Sequence, residues 1–187
     1  MDIGRFTIEG SRPFACLKPW ASLKIIGRKG YGLLFRQARE ATHYLRSILD
    51  HRRNFETLNM PELFILNYRF IPEAVCEQLS TWKKNTAMPG KHKNDAQLIK
   101  KTNQLINSLN IKLHRKLRED DTTFVSRTTL ESTRYRPENI VVLRAVLINP
   151  LTDQSVLNEI VDTQNRIGKK LWKEFEPAYN RICGKNL

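Results

Sequence analysis

The 187-residue sequence predicts an α+β domain, an antiparallel sheet covered by helices. Three patterns carry that prediction. Apolar residues recur at three- and four-residue steps in three long stretches, as amphipathic helices require. Two pairs of short runs are rich in aromatic and β-branched residues. These patterns follow one another as helix, helix, strand, strand, helix, strand, strand, helix, an order that suits an antiparallel sheet better than a parallel one.

Residues 1–15 read as extended chain or loop, broken by Gly4, Gly10 and Pro13. A helix is expected from about Phe14 to Ile26, ending at Gly27. Pro19 inside it would remove a hydrogen bond, so it belongs in the first turn, where no such bond is lost. From Gly30 to His51 the stripe Leu33, Leu34, Ala38, Ala41, Leu45, Ile48, Leu49 alternates with Arg36, Arg39, Glu40 and Arg46, which predicts a second, amphipathic helix. Gly27-Arg28-Lys29-Gly30 between the two reads as a cap and turn.

Phe55–Leu58 and Leu63–Ile71 follow as strands on either side of Met60-Pro61, the second ending at Pro72. A short helix from about Pro72 to Trp82 leads into a basic loop around Pro89-Gly90. The longest helix should begin with Asn94 or Asp95 as N-cap and carry Leu98, Thr102, Leu105, Ile106, Leu109, Leu113 and Leu117 on one stripe to about Arg118. Phe124–Leu130 and Ile140–Ile148 read as a strand pair. Thr152-Asp153 introduces a last helix with the stripe Val156, Leu157, Ile160, Ile167, Leu171, expected to stop near Phe175 ahead of Pro177. The division this implies is residues 1–50, which complete no core of their own, and residues 51–187, the α+β domain.

Composition restricts the function classes. The first twenty residues hold Asp2, Arg5, Glu9, Arg12 and Lys18 and so lack the apolar run of a signal peptide. No stretch approaches the roughly 18 uncharged apolar residues of a membrane span, and a cytoplasmic protein is the expectation. Cys16, Cys76 and Cys183 are odd in number without C-x-x-C spacing, which suggests neither a disulfide framework nor zinc. His43, His51, His92 and His114 have no metal-ligand spacing and fall on expected charged faces or loops. The net charge of +13 raises a second reading, a basic α+β nucleic-acid-binding module. Against it, the basic residues are spread over every segment, and the densest run, Lys83-Lys84 through Lys91-His92-Lys93, has no aromatic residues interleaved to stack bases.

Arg144 stands out chemically. It lies in Val141-Val142-Leu143-Arg144-Ala145-Val146-Leu147, the most apolar run of the chain, with Val142 and Val146 on its own face of the strand. A guanidinium there must reach the surface or meet an anion. On the residues alone, a structural ion pair and a ligand-binding arginine stand level.

Four landmarks resemble the last third of the group II pyridoxal-phosphate-dependent amino-acid decarboxylases, in the glutamate and aspartate branch. They are Ser11-Arg12 with Leu17-Lys18-x-Trp20, Tyr68-Arg69-Phe70-Ile71-Pro72, Leu143-Arg144 in its apolar strand, and Asn149-Pro150. Pro13 and Pro19 depart from the family pattern. The resemblance implies that Arg144 holds the substrate α-carboxylate and that residues 1–50 are a remnant of the large cofactor domain plus a linking helix. It implies that the chain, opening ten residues before the first landmark, is a C-terminal domain without the region of the Schiff-base lysine. It further implies an aspartate or glutamate 1-decarboxylase type of enzyme, pyridoxal 5'-phosphate as the cofactor of the complete enzyme but not of this chain alone, no activity in isolation, and a second protomer or an N-terminal cofactor domain as partner. Whether the chain is itself an enzyme is left open by the missing lysine region.

Overall fold

The computed structural model describes residues 13–86, 93–120, 125–131, 135 and 138–184. Helix α1 spans Leu17–His51, and both helices expected there fall within it. They join at Gly27, whose φ of 67° and ψ of 174° break the helical path. A positive φ is open to glycine at little cost, so the expected cap forms, but the chain re-enters helix at once instead of turning away. Pro19 sits in the first turn. Only the second half of α1 reaches the core, through Thr42, Leu45 and Leu49. Leu23, Ile26, Leu33 and Phe35 are exposed, together with Leu17, Trp20 and Ile25.

The remaining elements are β1 (Phe55–Thr57), β2 (Ile65–Phe70), α2 (Glu73–Thr86), α3 (Lys93–Glu119), β3 (Ser126–Glu131), β4 (Asn139–Val146) and α4 (Gln154–Ile182). The strands form one antiparallel sheet in the order β1-β2-β4-β3. Phe55, Tyr68 and Phe70 share a face of it, with ring centroids 5.6 to 6.1 Å apart. Helix α4 lies against this face. The Tyr68 hydroxyl donates to Gln164 at 3.0 Å, and a Cβ at Gly168 would come within 2.6 Å of the Phe70 ring. The buried stripe of α4 is therefore Leu157, Val161, Gln164, Gly168, Leu171 and Tyr179. An apolar count overlooks it, because two of its members are a polar contact and a close approach.

Strands β2 and β4 pair from Ile65↔Val146 to Tyr68↔Leu143 and then separate. Helix α3 occupies the gap. Asn110 accepts from the Phe70 N–H at 2.9 Å and donates to the Phe70 carbonyl at 2.8 Å. Asn107 accepts from the Val141 N–H at 2.8 Å and donates to the Asn139 carbonyl at 3.0 Å. The two amides take over the ladder bonds that the separated strands no longer make to each other, which keeps the backbone satisfied where the sheet opens.

Two expected helix ends are corrected. Neither Asn94 nor Asp95 is the N-cap, because α3 already starts at Lys93; Asp95 lies in the first turn, buried, and accepts from Asn85 at 3.1 Å. Helix α4 does not stop before Pro177 but runs through it to Ile182. A proline inside a helix costs about 3 kcal/mol, and the turn it would have ended carries Tyr179, buried with its ring 5.6 Å from Trp172. That burial offsets much of the penalty. The last helix begins after Thr152-Asp153 as expected, and Asp153 caps it, accepting from the Val156 N–H at 2.9 Å. The Ser11-Arg12 landmark and the Pro89-Gly90 loop lie outside the described residues.

Candidate substrate-binding surface

Arg144 sits on β4 between Asn67 of β2 and Ser126 of β3, its direct partners in the two registers. Side chains alternate along a strand, so all three point to the face opposite Tyr68. The guanidinium is exposed. Ser126 anchors it from one side: the Ser126 hydroxyl donates to the Arg144 carbonyl at 2.9 Å and accepts from Arg144 Nε at 3.2 Å. Among the described residues no carboxylate pairs with Arg144, and its two terminal nitrogens make no hydrogen bond. The result is a guanidinium fixed at Nε by a neutral group, with its fork open to solvent. That end of a guanidinium matches the two oxygens of a carboxylate. Asn67 adds a buried Oδ1 with no partner on the same face.

The sequence reading singled out Arg144 but not Ser126. A serine at the start of a strand carries no signal of its own. Only the β3–β4 register brings it beside Arg144.

Arg69 shows the opposite treatment. It is fully buried on β2. Its Nε donates to Glu56 at 2.7 Å, its Nη1 donates to Asn103 of α3 at 2.8 Å, and its guanidinium lies 4.8 Å from the centre of the Tyr135 ring. The Tyr135 hydroxyl completes the cluster with a 2.8 Å bond to the other Glu56 oxygen. Burial pushes the Tyr135 phenol above its ordinary range, with the neighbouring Glu56 charge acting the same way and Arg69 against it. Beside this cluster, at the free edge of β1, a cavity of 580 Å³ is lined in part by Glu56, Cys76, Lys83 and Tyr135.

Other candidates fall away. Among the described residues no group of His, Cys, Asp and Glu could hold a metal ion, and no helix is long and apolar enough to cross a membrane. Cys16 is exposed, Cys76 and Cys183 are half-buried, and all three are free thiols. His51 is exposed and bonds to the Ser47 carbonyl. His43 and His114 are half-buried rather than fully on the surface, because each packs against the body of the domain. His92 lies outside the described residues.

No family model matches the chain. Over 186 residues it is 32% identical to aspartate 1-decarboxylase of Aliivibrio fischeri, a match covering 100% of this chain and 32% of that protein. Mouse CSAD in apo form superposes with a TM-score of 0.65 at 19% identity, covering 89% of this chain and 30% of that one. Tryptophan decarboxylase of Catharanthus roseus, in complex with L-tryptophan, superposes with a TM-score of 0.60 at 15% identity over 91% of this chain and 29% of that one. The chain is similar, in sequence and in fold, to group II pyridoxal-phosphate-dependent decarboxylases. The α+β arrangement is that of a small C-terminal domain of these enzymes, and the chain spans about a third of the length of the curated relative, 32% of it.

The residues around Arg144 do not fit the cofactor of that family. The positions beside it in the two registers are an asparagine and a serine, and its strand neighbours are apolar. Such a donor set suits a carboxylate. It offers no lysine to hold an aldehyde and no carboxylate for a pyridine nitrogen.

Proposed function

We propose that this chain is the small-domain portion of a pyridoxal-phosphate-dependent amino-acid decarboxylase acting on aspartate, glutamate or a close relative, and that Arg144 holds the substrate α-carboxylate. In this reading residues 1–50 belong to a large cofactor domain and the helix that links it, and residues 51–187 form the small domain. The exposed apolar side of α1 is then covered by that cofactor domain or by a second protomer. The carrying observation is the state of Arg144, anchored at Nε by Ser126 with its terminal nitrogens open.

The cofactor, bound elsewhere in the complete enzyme, would draw off the electron pair left as carbon dioxide departs. What this chain contributes is position. Two parallel hydrogen bonds from Arg144 fix the plane of the carboxylate, and Ser126 keeps the guanidinium from rotating with it. The chain alone therefore has no decarboxylase activity.

A chimera tests this. The chain replaces the matching region of the Aliivibrio fischeri relative, and aspartate decarboxylation is compared with that of the same chimera carrying Arg144→Met. Hydrogen bonds to charged groups contribute about 1.5–3 kcal/mol each, so loss of the two should raise KM at least about a hundredfold. A variant with the parental KM would remove Arg144 from the substrate site. After incubation with pyridoxal phosphate the isolated chain should show no protein aldimine band that survives dialysis against cofactor-free buffer; a stable band abolished by changing one lysine would refute the inactivity of the chain alone.

A further inference from the structure

Helix α3 and strand β3 enclose a second concavity, of 450 Å³, lined by His114, Arg115, Arg118 and Glu119 from the helix and Arg127 from the strand. Residues 115 and 118, like 114 and 118, lie one turn apart and so share a side of α3. The β3–β4 register sets Arg127 opposite Leu143. By strand alternation it therefore points away from Ser126 and Arg144, onto the other face of the sheet.

In the described lining of this concavity positive charge exceeds negative. Glu119 is the one carboxylate among its described residues, and it is engaged by Lys116 at 2.6 Å, a contact that, with a weaker attraction from Arg115, holds its carboxyl below the usual range. Arg46, Arg52, Arg53 and Arg69 each have a carboxylate partner. Among the described residues Arg115, Arg118 and Arg127 form no close ion pair and their side chains make no hydrogen bonds, Arg115 acting on Glu119 only at longer range. Their field reaches the imidazole: His114 is held below its ordinary range by partial burial, then by Arg127 and Arg118, against a hydrogen bond with the Val125 backbone. Three guanidiniums turned into one hollow repel each other unless an anion joins them.

We infer that this concavity between α3 and β3 is a binding site for a small phosphate-bearing anion, held by Arg115, Arg118 and Arg127 with His114 beside it. A planar guanidinium fork matches phosphate oxygens, and three such forks match a multiply charged group better than a single carboxylate. The volume lies within the range of about 300–1,000 Å³ usual for small-ligand sites. The described lining holds no Phe, Tyr or Trp ring, so a nucleic-acid strand would find no broad base-stacking platform there.

The test titrates the full chain with inorganic pyrophosphate by calorimetry at physiological salt, and follows the His114 ring protons by NMR across pH with and without it. One pyrophosphate should bind per chain, and Arg118→Ala/Arg127→Ala should weaken it at least tenfold. Lys169→Ala/Lys170→Ala, which removes the same charge from exposed positions of α4, should change affinity less than twofold. Bound pyrophosphate should also raise the pH at which His114 of the unaltered protein titrates. Equal weakening by the two double variants would reduce the effect to diffuse surface charge and overturn the site. So would binding that leaves His114 unmoved, or binding of a single-stranded oligonucleotide where pyrophosphate does not bind.

Discussion

Replacing Asn110 with alanine should destabilise the fold far more than the same change at Asn107, although the two side chains do the same job. Each bridges the backbone of a strand where β2 and β4 separate, accepting from one N–H and donating to one carbonyl. They differ in burial. Asn110 is fully buried, so alanine leaves the Phe70 N–H and carbonyl without partners where water has no access. An orphaned buried group costs about 1–3 kcal/mol; with two of them the loss should be about 3–4 kcal/mol. The third bond of Asn110, to the Ile106 carbonyl, adds little, because that carbonyl keeps its helical partner. The bonds of Asn107 lie at exposed and part-buried positions. Water can replace that side chain at a cost of about 1 kcal/mol or less. In urea, with a slope of about 2 kcal/mol/M, the unfolding midpoint should fall by roughly 1.5–2 M for Asn110→Ala and by less than about 0.5 M for Asn107→Ala. Equal midpoints for the two variants, with unchanged slopes, would refute the claim that burial sets the value of these amides.

Two further outcomes follow from the buried cluster and its neighbour. Glu56→Gln keeps the size of the side chain but leaves the Arg69 charge buried without its carboxylate, so urea unfolding should register a loss of about 3–5 kcal/mol; a loss under about 1 kcal/mol would mean that water reaches Arg69. Burial raises the phenols of Tyr68 and Tyr135 above their ordinary range, so the folded chain keeps these protons where the unfolded chain, titrating near pH 10, releases them. The stability this confers is present below about pH 10 and is lost as pH rises above it. A spectrophotometric titration should therefore show both tyrosines ionising only as the protein unfolds; their reversible ionisation in the folded protein near pH 10 would contradict it.

Periodicity makes the elements of this fold legible, because each of them buries one stripe or one face. The stripe through Leu45 and Leu49 and that through Ile106, Leu109, Leu113 and Leu117 are buried where the pattern puts them. Strand existence was equally readable, and so was the start of α4 after Thr152-Asp153. What escaped depends on pairing. Gln164 and Gly168 break the apolar pattern of α4, yet they are buried because Tyr68 needs an acceptor and the Phe70 ring needs space. Asn107 and Asn110 read as ordinary polar helix residues until the separation of β2 from β4 gives them backbone to bridge. Pro177 misled because a local penalty was weighed without the distant contact of Tyr179 with Trp172. At the candidate site the arginine was legible and its anchor was not: Arg144 is conspicuous in an apolar run, whereas Ser126 acquires meaning only from register.

The two arginines that neighbouring strands present to the same face, Arg69 and Arg144, show how burial separates structure from binding. Both lie in runs of apolar and aromatic residues, and composition alone treats them alike. Arg69 has a carboxylate, an amide oxygen and an aromatic face around it and no exposure. A ligand carboxylate could reach it only by displacing Glu56, which would leave a second buried charge without a partner at a cost of several kcal/mol, about 3–5. Arg144 has one neutral hydroxyl at Nε and solvent at its fork. An incoming carboxylate there displaces only water and meets a guanidinium whose orientation Ser126 has already restricted, so less side-chain entropy remains to be lost on binding. Of the two arginines on this face of the sheet, the one a ligand can use is therefore the exposed Arg144, whose fork is open to solvent, and not the enclosed Arg69.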